Sequence, residues 1–146
     1  MLTEQVTRTL PYPAEQLFDL IADVERYPEF LTGWREASIH HRQSGLYETN
    51  QVVEIGPMKF RFLSTTHLHR PTDISIHSSD WPFRSMELNW HLEPLDDGHC
   101  RVTLSAQIDC HSLVIEHFFR HVLSTLLQDI VASFEHRARQ HNNQTN

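Results

Sequence analysis

The last third of the chain constrains the fold most, because a strand pattern there runs directly into the pattern of one long helix. Residues 100–110 alternate between apolar and polar side chains, which is the period of a half-buried strand. After Ser112, apolar side chains from Ile115 to Phe134 recur at helical spacing without a gap. A helix from about Ser112 to Gln140 would be roughly 43 Å long. A helix with so wide an apolar face needs a large surface to cover.

The preceding sequence provides that surface as a predicted antiparallel sheet. A first strand at residues 2–10 is followed by two short helices, one beginning at Pro13 and one at residues 24–31. Short turns then join further strand patterns, and strands joined in this way pair antiparallel and curve as they twist. These strands are predicted at residues 34–41, 47–55, 58–69, 74–76, 86–92 and 100–110. The fold class is therefore α+β, with a curved sheet of about seven strands around the C-terminal helix.

The length and charge of the chain restrict its organisation and its partners. A chain of 146 residues is long enough for one domain and too short for two of ordinary size. We expect that domain to span residues 1–140, with residues 141–146 as a frayed tail. The formal net charge of −7 argues against nucleic acid as a partner, because such binding depends on Lys and Arg neutralising phosphates. It argues equally against electrostatic attachment to anionic lipid.

The two cysteines and the N-terminus indicate a reducing, cytoplasmic location. Cys100 and Cys110 lie on one predicted strand, which separates them by roughly 33 Å and excludes a disulfide between them. The N-terminus enters a strand pattern directly, without the charged and apolar regions of a signal peptide. No apolar run approaches the ~20 residues that a membrane-spanning helix needs.

A curved sheet that grips one long helix can enclose an apolar cavity, which points to ligand binding. Phe60, Phe62 and Trp90 face inward in the strand patterns, and they are expected either to line such a cavity or simply to fill the core. A binding cavity should reach at least ~300 Å³ and contact these aromatic side chains. The inward polar side chains that either orient a ligand's head group or satisfy one another are those of Tyr47, Ser64 and Thr66.

The segment Trp81-Pro82-Phe83 places two large aromatic side chains around a proline where a loop is expected. We expect Trp81 and Phe83 at the cavity entrance, where they would gate it or contact a membrane surface. The alternative is that both side chains pack onto a neighbouring element.

The histidine spacings and the lack of a nucleophile pattern argue against metal and catalytic chemistry. His67 and His69 share a strand face, and His117 and His121 are one helical turn apart, yet both pairs fall on predicted polar faces. No HExxH pattern accompanies them, so we predict solvated histidines and neither a metal nor a cofactor. No residue is predicted as catalytic, and the pattern favours a binding protein over an enzyme.

Five stretches of the chain carry a recognisable family pattern. They are residues 13–31, Pro82-Phe83-Arg84, Trp90-His91-Leu92-Glu93-Pro94-Leu95, Cys100-Arg101-Val102 and Phe134-Glu135-His136-Arg137-Ala138. These stretches resemble the coenzyme Q-binding, polyketide-cyclase-like family, which includes a bacterial ribosome-association toxin. That family is a branch of the START-like (SRPBCC) superfamily with the helix-grip fold. The most specific piece is the end of the first stretch, Tyr27-Pro28-Glu29-Phe30-Leu31.

The resemblance implies a helix-grip fold and non-catalytic binding or carriage of a hydrophobic small molecule in support of respiratory quinone function. The ligand would be a quinone or a polyprenyl-type lipid, held between the sheet and the C-terminal helix, with transient contact to the inner membrane. Two alternatives remain open, a polyketide aromatase or cyclase and an interaction module at the ribosome. The side chains expected to line the site are Trp34, Tyr47, Phe60, Phe62, Ser64, Ile76, Trp81, Phe83, Leu88, Trp90, Phe119, Val122, Leu123 and Leu126.

Three departures from the family pattern add bulk near the expected cavity. Trp81 stands where the family usually has Gly before Pro-Phe. Thr32-Gly33-Trp34 replaces a frequent Pro-Trp-Cys, and Leu88 stands where many relatives keep a glycine. The ligand of the relatives is therefore not transferred unchanged to this chain.

Overall fold

The alternating patterns build one antiparallel sheet of seven strands, in the order β1-β7-β6-β5-β4-β3-β2. A computed structural model describes residues 1–145 of the chain. The strands are β1 Leu2–Leu10, β2 Trp34–Gln43, β3 Leu46–Ile55, β4 Met58–His69, β5 Asp73–Ser78, β6 Phe83–Pro94 and β7 Cys100–Cys110. Helix α1 spans Ala14–Ala22, a 3-10 helix follows at Val24–Glu29, and helix α2 spans Leu113–Thr145. A one-turn 3-10 helix, Asp96–Gly98, connects β6 to β7.

This arrangement confirms the predicted fold class, a START-like helix-grip in which a curved sheet surrounds a long C-terminal helix. The boundaries differ in two places. The second short helix is a 3-10 helix that ends at Glu29, and it contains Pro28, whose ring and missing N–H do not fit a regular α-helix. Helix α2 continues beyond the predicted end at Gln140 as far as Thr145. A frayed tail over residues 141–146 stays a prediction, and Asn146 lies outside the described residues.

Burial alternates along the strands as their sequences predict. On β7 the apolar residues are buried and the intervening polar residues are partly or fully exposed. On β4 the inward side chains are Phe60, Phe62, Ser64 and Thr66, all of them buried. The concave face of the sheet therefore presents an apolar surface with a band of hydroxyl groups.

Helix α2 is attached at both ends as well as along its apolar face. Ser112 caps its first turn, because its side-chain oxygen accepts hydrogen bonds from the backbone N–H groups of Val114 and Ile115. Near the other end, the Arg137 guanidinium lies 2.8 Å from a Glu29 carboxylate oxygen and stacks over the Phe30 ring. These contacts hold the helix across the concave face of the sheet.

Aromatic rings divide the core beneath α2 into two clusters. The first joins Phe134 of α2 to Tyr27, Phe30 and Trp90, with ring centroids 5.1 to 5.5 Å from that of Phe134. The second joins Phe119 of α2 to Phe60 and Phe83, and Phe62 contacts Phe83 from the next position along β4. The two clusters lie at different levels along α2. The space between the sheet and the helix is likewise divided into two parts, one beside each cluster.

Both cysteines are buried free thiols, in agreement with the prediction that they do not pair. None of the helices in the part of the chain that the structure describes combines the length and the apolarity needed to span a bilayer.

Candidate functional site

The interior contains an apolar compartment of about 60 Å³ between the second aromatic cluster and the middle of α2. Its wall is formed by β3, β4, β6, β7 and α2, and every lining side chain is apolar. The side chains are those of Trp34, Val53, Ile55, Phe60, Phe62, Phe83, Met86, Leu88, Ile108, Phe119, Leu123, Leu126, Leu127 and Ile130. Such a surface suits a hydrocarbon chain or ring.

A second space, the polar-walled compartment, has a volume of about 40 Å³ and lies beside the first aromatic cluster. It shares the side chains of Trp34, Phe62, Met86, Leu88 and Ile130 with the apolar compartment. One wall differs from the rest, because Tyr47, Gln51 and Thr66 bring polar groups to it. The remaining lining side chains are those of Val24, Tyr27, Leu31, Ile76, Trp90, Leu104 and Phe134.

A surface groove of about 170 Å³ adjoins both compartments. It is lined by residues 31–34, by the turn between β3 and β4 at residues 54–56, and by the middle of α2. Asp129 and Ser133 supply polar atoms at its rim. The groove shares lining side chains with the polar-walled compartment and with the apolar compartment, so it borders each of them directly.

Trp34 stands where the three spaces meet, since its side chain lines all of them. Its indole Nε1 donates a hydrogen bond of 2.9 Å to Oε1 of Gln51. The preceding Gly33 has a φ of +90°, and a Cβ there would lie 2.3 Å from the Glu54 backbone oxygen. Glycine is therefore required for the turn that places Trp34 against β3.

The polar wall is linked into a hydrogen-bond network on β3 and β4. Nε2 of Gln51 donates to Oγ1 of Thr49 over 2.9 Å and to Oγ of Ser64 over 3.4 Å. Thr49 and Ser64 are joined by a bond of 2.6 Å between their hydroxyl oxygens. The Tyr47 hydroxyl donates to the Ala22 carbonyl oxygen over 2.8 Å. These bonds satisfy the buried polar groups without a ligand.

The tyrosines of the polar wall stay protonated. Burial raises the pKa of Tyr47, against smaller lowering effects from Arg42 and from a hydrogen bond with Thr66. Burial also raises the pKa of Tyr27 well above its ordinary value, and its hydroxyl donates to the Ile21 carbonyl oxygen. Both phenols therefore direct their protons at backbone carbonyls.

The structure places most of the predicted site residues around the two compartments. Eleven of the fourteen line at least one of them: Trp34, Tyr47, Phe60, Phe62, Ile76, Phe83, Leu88, Trp90, Phe119, Leu123 and Leu126. Ser64, Trp81 and Val122 line neither. Ser64 bonds within the sheet, and Trp81 faces solvent with 57% of its surface exposed.

Two expectations about the cavity are wrong. The interior space is split into compartments far smaller than the expected ~300 Å³, because the aromatic and methionine side chains close on one another. Trp81 and Phe83 also do not act together at an entrance. Phe83 is the first residue of β6 and is 4% exposed, whereas Trp81 precedes the strand and lies outside the core. The groove at Trp34 is the opening that the structure offers instead.

Several lining residues were not predicted, although the sequence contained a signal for them. Gln51 follows Tyr47 and Thr49 in the period of β3, so its inward position could have been read from the alternation. Ile130 and Phe134 continue the apolar stripe of α2 beyond Leu126. Leu31 lies at the end of the family-like stretch.

A larger basin of about 370 Å³ lies on the outer face of the sheet, but its chemistry is that of an open polar surface. His40 and Glu48 there form a pair 3.3 Å apart. Both carboxylate oxygens of Asp80 accept backbone N–H groups, those of Leu63 and Trp81. The basin therefore has neither the apolar wall nor the enclosure of the interior compartments.

The histidine pair on α2 is exposed, as predicted. The Nε2 atoms of His117 and His121 are 3.2 Å apart, so the two rings contact each other. Among the described residues, no group of three or more His, Cys, Asp or Glu side chains is placed to hold a metal ion.

Comparison with known proteins identifies the family. The family model described as polyketide cyclase / dehydrase and lipid transport matches residues 10–135. The chain belongs to this family. Its matched region extends from the end of β1 into α2 and therefore includes both interior compartments.

Relatives and solved structures agree with this placement over most of the chain. The ribosome association toxin RatA of Vibrio cholerae is 30% identical over 139 residues, which cover 94% of this chain and 96% of that protein. The mitochondrial coenzyme Q-binding protein COQ10 of Dictyostelium discoideum is 23% identical over 87% of this chain and 66% of that protein. The structure of a START superfamily protein from Mycobacterium smegmatis aligns with a TM-score of 0.84 and 16% identity, covering 94% of this chain and 97% of that one.

Proposed function

We propose that this protein binds and carries a hydrophobic small molecule with a polar head group, a quinone or a polyprenyl-type lipid. The observation that carries the proposal is the adjacency of a surface groove, a compartment with one polar wall and a wholly apolar compartment. A head group would sit against Tyr47, Gln51 and Thr66, and the hydrocarbon part would fill the apolar compartment. The COQ10 relative, a coenzyme Q-binding protein, supports this ligand class.

Uptake requires the interior to open. Ligand sites commonly have volumes of about 300–1,000 Å³, several times the space in the closed compartments. Trp34 and Ile130 both form part of the wall of all three spaces, and rotation of the larger Trp34 side chain would join the groove to both compartments. Its partial exposure and its position at the first residue of β2 leave it room to move. The ligand then replaces contacts that the closed protein makes with itself.

The driving force is the burial of apolar surface, worth about 25 cal/mol per Å² removed from water. The lining surface of the apolar compartment is wholly apolar, so a hydrocarbon ligand gains this energy without stranding a polar group there. Selectivity must then come from the polar wall, the part of the site with directional groups.

The experiment is mass spectrometry of lipid extracted from the purified protein, compared between two variants of α2. Leu126→Trp adds bulk where the groove meets the apolar compartment, and Thr125→Trp adds bulk at the neighbouring exposed position, which lines neither the groove nor a compartment. Leu126→Trp should lose the bound lipid, and Thr125→Trp should keep it. Equal lipid content in both variants, or none in the parent protein, would contradict the proposal.

Carriage also requires a surface that contacts the source of the ligand, and we place this contact at the N-terminal end of α2. Trp81, Leu113 and Val114 are exposed there by 57%, 85% and 79%. The segment that contains Trp81 is joined to the start of α2, because the His111 backbone N–H donates to the Pro82 carbonyl oxygen over 3.1 Å. A cluster of large exposed apolar side chains that includes a tryptophan suits the interface of a lipid bilayer. Contact would be transient and peripheral.

A second candidate is association with the ribosome, favoured by the RatA relative that the chain matches over 96% of that protein's length. The net charge of −7 favours a protein surface over bare RNA as the contact. Sucrose-gradient sedimentation with separated ribosomal subunits tests it. Co-sedimentation that survives Leu126→Trp would assign a role independent of the cavity.

A cyclase reaction finds no support in the two compartments. General acid–base chemistry needs a group that exchanges protons near neutral pH. Among the described lining residues there is no carboxylate, imidazole or amine, and the two tyrosines have pKa values raised by burial. We therefore do not propose this alternative.

A further inference from the structure

The polar wall presents a hydrogen-bond acceptor, and not a donor, to the place where a ligand's head group would sit. Gln51 is 5% exposed, and both of its N–H groups point into the sheet toward Thr49 and Ser64. Its carbonyl oxygen Oε1 points the other way, toward the space that Trp34 closes. The reverse orientation of the amide would set its N–H₂ group against the indole N–H, so the network fixes the orientation.

The indole of Trp34 occupies the hydrogen-bonding position that a head group would take. Nε1 of Trp34 donates to Oε1 of Gln51 over 2.9 Å in the closed protein. When Trp34 rotates to admit a ligand, Oε1 loses its donor while it remains buried. A buried carbonyl without a donor is strongly disfavoured, so the ligand is required to replace the N–H that has left.

The other polar groups of the compartment already use their protons. The hydroxyl of Tyr47 gives its proton to Ala22, and that of Tyr27 gives its proton to Ile21. The Thr66 hydroxyl donates to the Tyr47 phenol oxygen, which lowers the pKa of Tyr47, so its proton is used as well. A ligand carbonyl would therefore find few free donors at this wall, whereas a ligand hydroxyl would find an oxygen acceptor at Gln51.

We propose that the site selects a head group that donates a hydrogen bond, a phenol or hydroquinone, over the corresponding quinone or ether. The inference rests on the proposed function, since it names the chemistry of the ligand for the same cavity. For a quinone-type lipid it means that the reduced, hydroxyl-bearing form is the form carried. Gln51 is the residue that distinguishes the two forms. In the empty protein, Trp34 donates the hydrogen bond to Gln51 that the ligand would otherwise donate.

The test compares pairs of ligands that differ in their hydrogen-bond donors. An octylphenol and its methyl ether share the ring and chain and differ by one hydroxyl donor. Decylubiquinol and decylubiquinone, compared without oxygen, differ by two hydrogen atoms, which give the quinol two hydroxyl donors and leave the quinone with none. Calorimetric titration should show the hydroxyl-bearing member of each pair binding roughly tenfold tighter or more. Equal affinities, or tighter binding of the ether and quinone, would overturn the inference and leave the proposed function intact. Failure of all four to bind would count against the proposed function itself.

Two variants locate the effect. Gln51→Met removes the acceptor and should make the phenol and the ether bind equally well. The main reason is that the ether then leaves no buried Gln51 oxygen without a hydrogen-bond donor. Trp34→Phe removes the competing donor and also reduces the ring, a change that both ligands meet equally. It should tighten both ligands and leave their ratio unchanged, because the free protein is common to both equilibria. A ratio that survives Gln51→Met, or one that disappears in Trp34→Phe, would contradict the assignment. Trp34→Phe carries the test even if Gln51→Met does not fold.

Discussion

Trp81 and Phe83 are separated by one residue and have opposite environments. Phe83 lies opposite Cys110 in the β6–β7 ladder and packs between Phe60 and Phe119. Trp81 precedes the strand, and more than half of its surface is exposed. Both are large and apolar, so residue type alone does not distinguish them. The difference depends on the residue at which β6 begins.

This difference predicts unequal effects of truncation. Phe83→Ala should destabilise the protein by roughly 3–5 kcal/mol, since it removes a ring from a packed aromatic cluster. Trp81→Ala should change the free energy of unfolding by less than about 0.5 kcal/mol, as is usual for an exposed position. Urea denaturation of the two variants measures both values. A large loss of stability in Trp81→Ala would show that this side chain packs in solution.

The two thiols should be inert in the folded protein. Burial raises the pKa of Cys100 and of Cys110 to about 11. A thiol-specific reagent at pH 8 should therefore modify neither residue until the protein unfolds, and then both. Because the folded pKa exceeds the unfolded value of about 8.5, their contribution to stability is complete below that pH and is lost as the pH rises toward 11. Rapid modification of one thiol under native conditions would indicate local opening of β7.

At the scale of elements, the strands and the long helix could be predicted because their signals are local. The alternation on β4 and β7 and the helical stripe of α2 are both carried by neighbouring residues. The division of the interior into compartments could not be predicted, since it depends on how rings from α2 and four strands close on one another. The position of Trp34 depends on the turn at Gly33 and on an irregular register at the start of β2.

That turn gives a prediction with an internal control. Gly33→Ala should destabilise the protein by roughly 1–3 kcal/mol, because the φ of +90° and the Glu54 oxygen both oppose a Cβ. Gly98 also has a positive φ, but a Cβ there meets nothing within 4 Å, so Gly98→Ala should cost less. Thermal and urea denaturation compare the two. Near-ultraviolet circular dichroism should show a disturbed tryptophan signal in Gly33→Ala alone, and equal losses would refute the steric argument.

At the scale of the whole molecule, the exposed apolar residues are concentrated at one end. Trp81 lies beside the first turn of α2, where Leu113 and Val114 face solvent. The α2 residues that line the apolar compartment run from Phe119 to Ile130, about one and a half to four and a half helical turns further along the helix. A bilayer docked at this end would therefore be close to the interior of the protein without covering the polar outer face of the sheet.

The proposed membrane contact can be tested through the tryptophans. Brominated phospholipid vesicles should quench the fluorescence of Trp81, while Trp34 and Trp90, which are more buried, serve as internal references. Replacing Leu113 and Val114 together by Ser should weaken the quenching and leave the melting temperature nearly unchanged, because both side chains are exposed. Undiminished quenching in this double variant would place the membrane contact elsewhere.

The small volume of the closed compartments has a consequence for the rate of loading. If the proposed function is correct, a ligand that reaches the groove meets a closed protein and is captured only by the population in which Trp34 has rotated. The observed association rate should then stop rising with ligand concentration and reach a plateau set by the opening step, which stopped-flow fluorescence can detect. Once unloaded, the same closure refills the space with the protein's own side chains. A carrier that closes in this way could move through water between two membranes without exposing a large apolar cavity to the solvent.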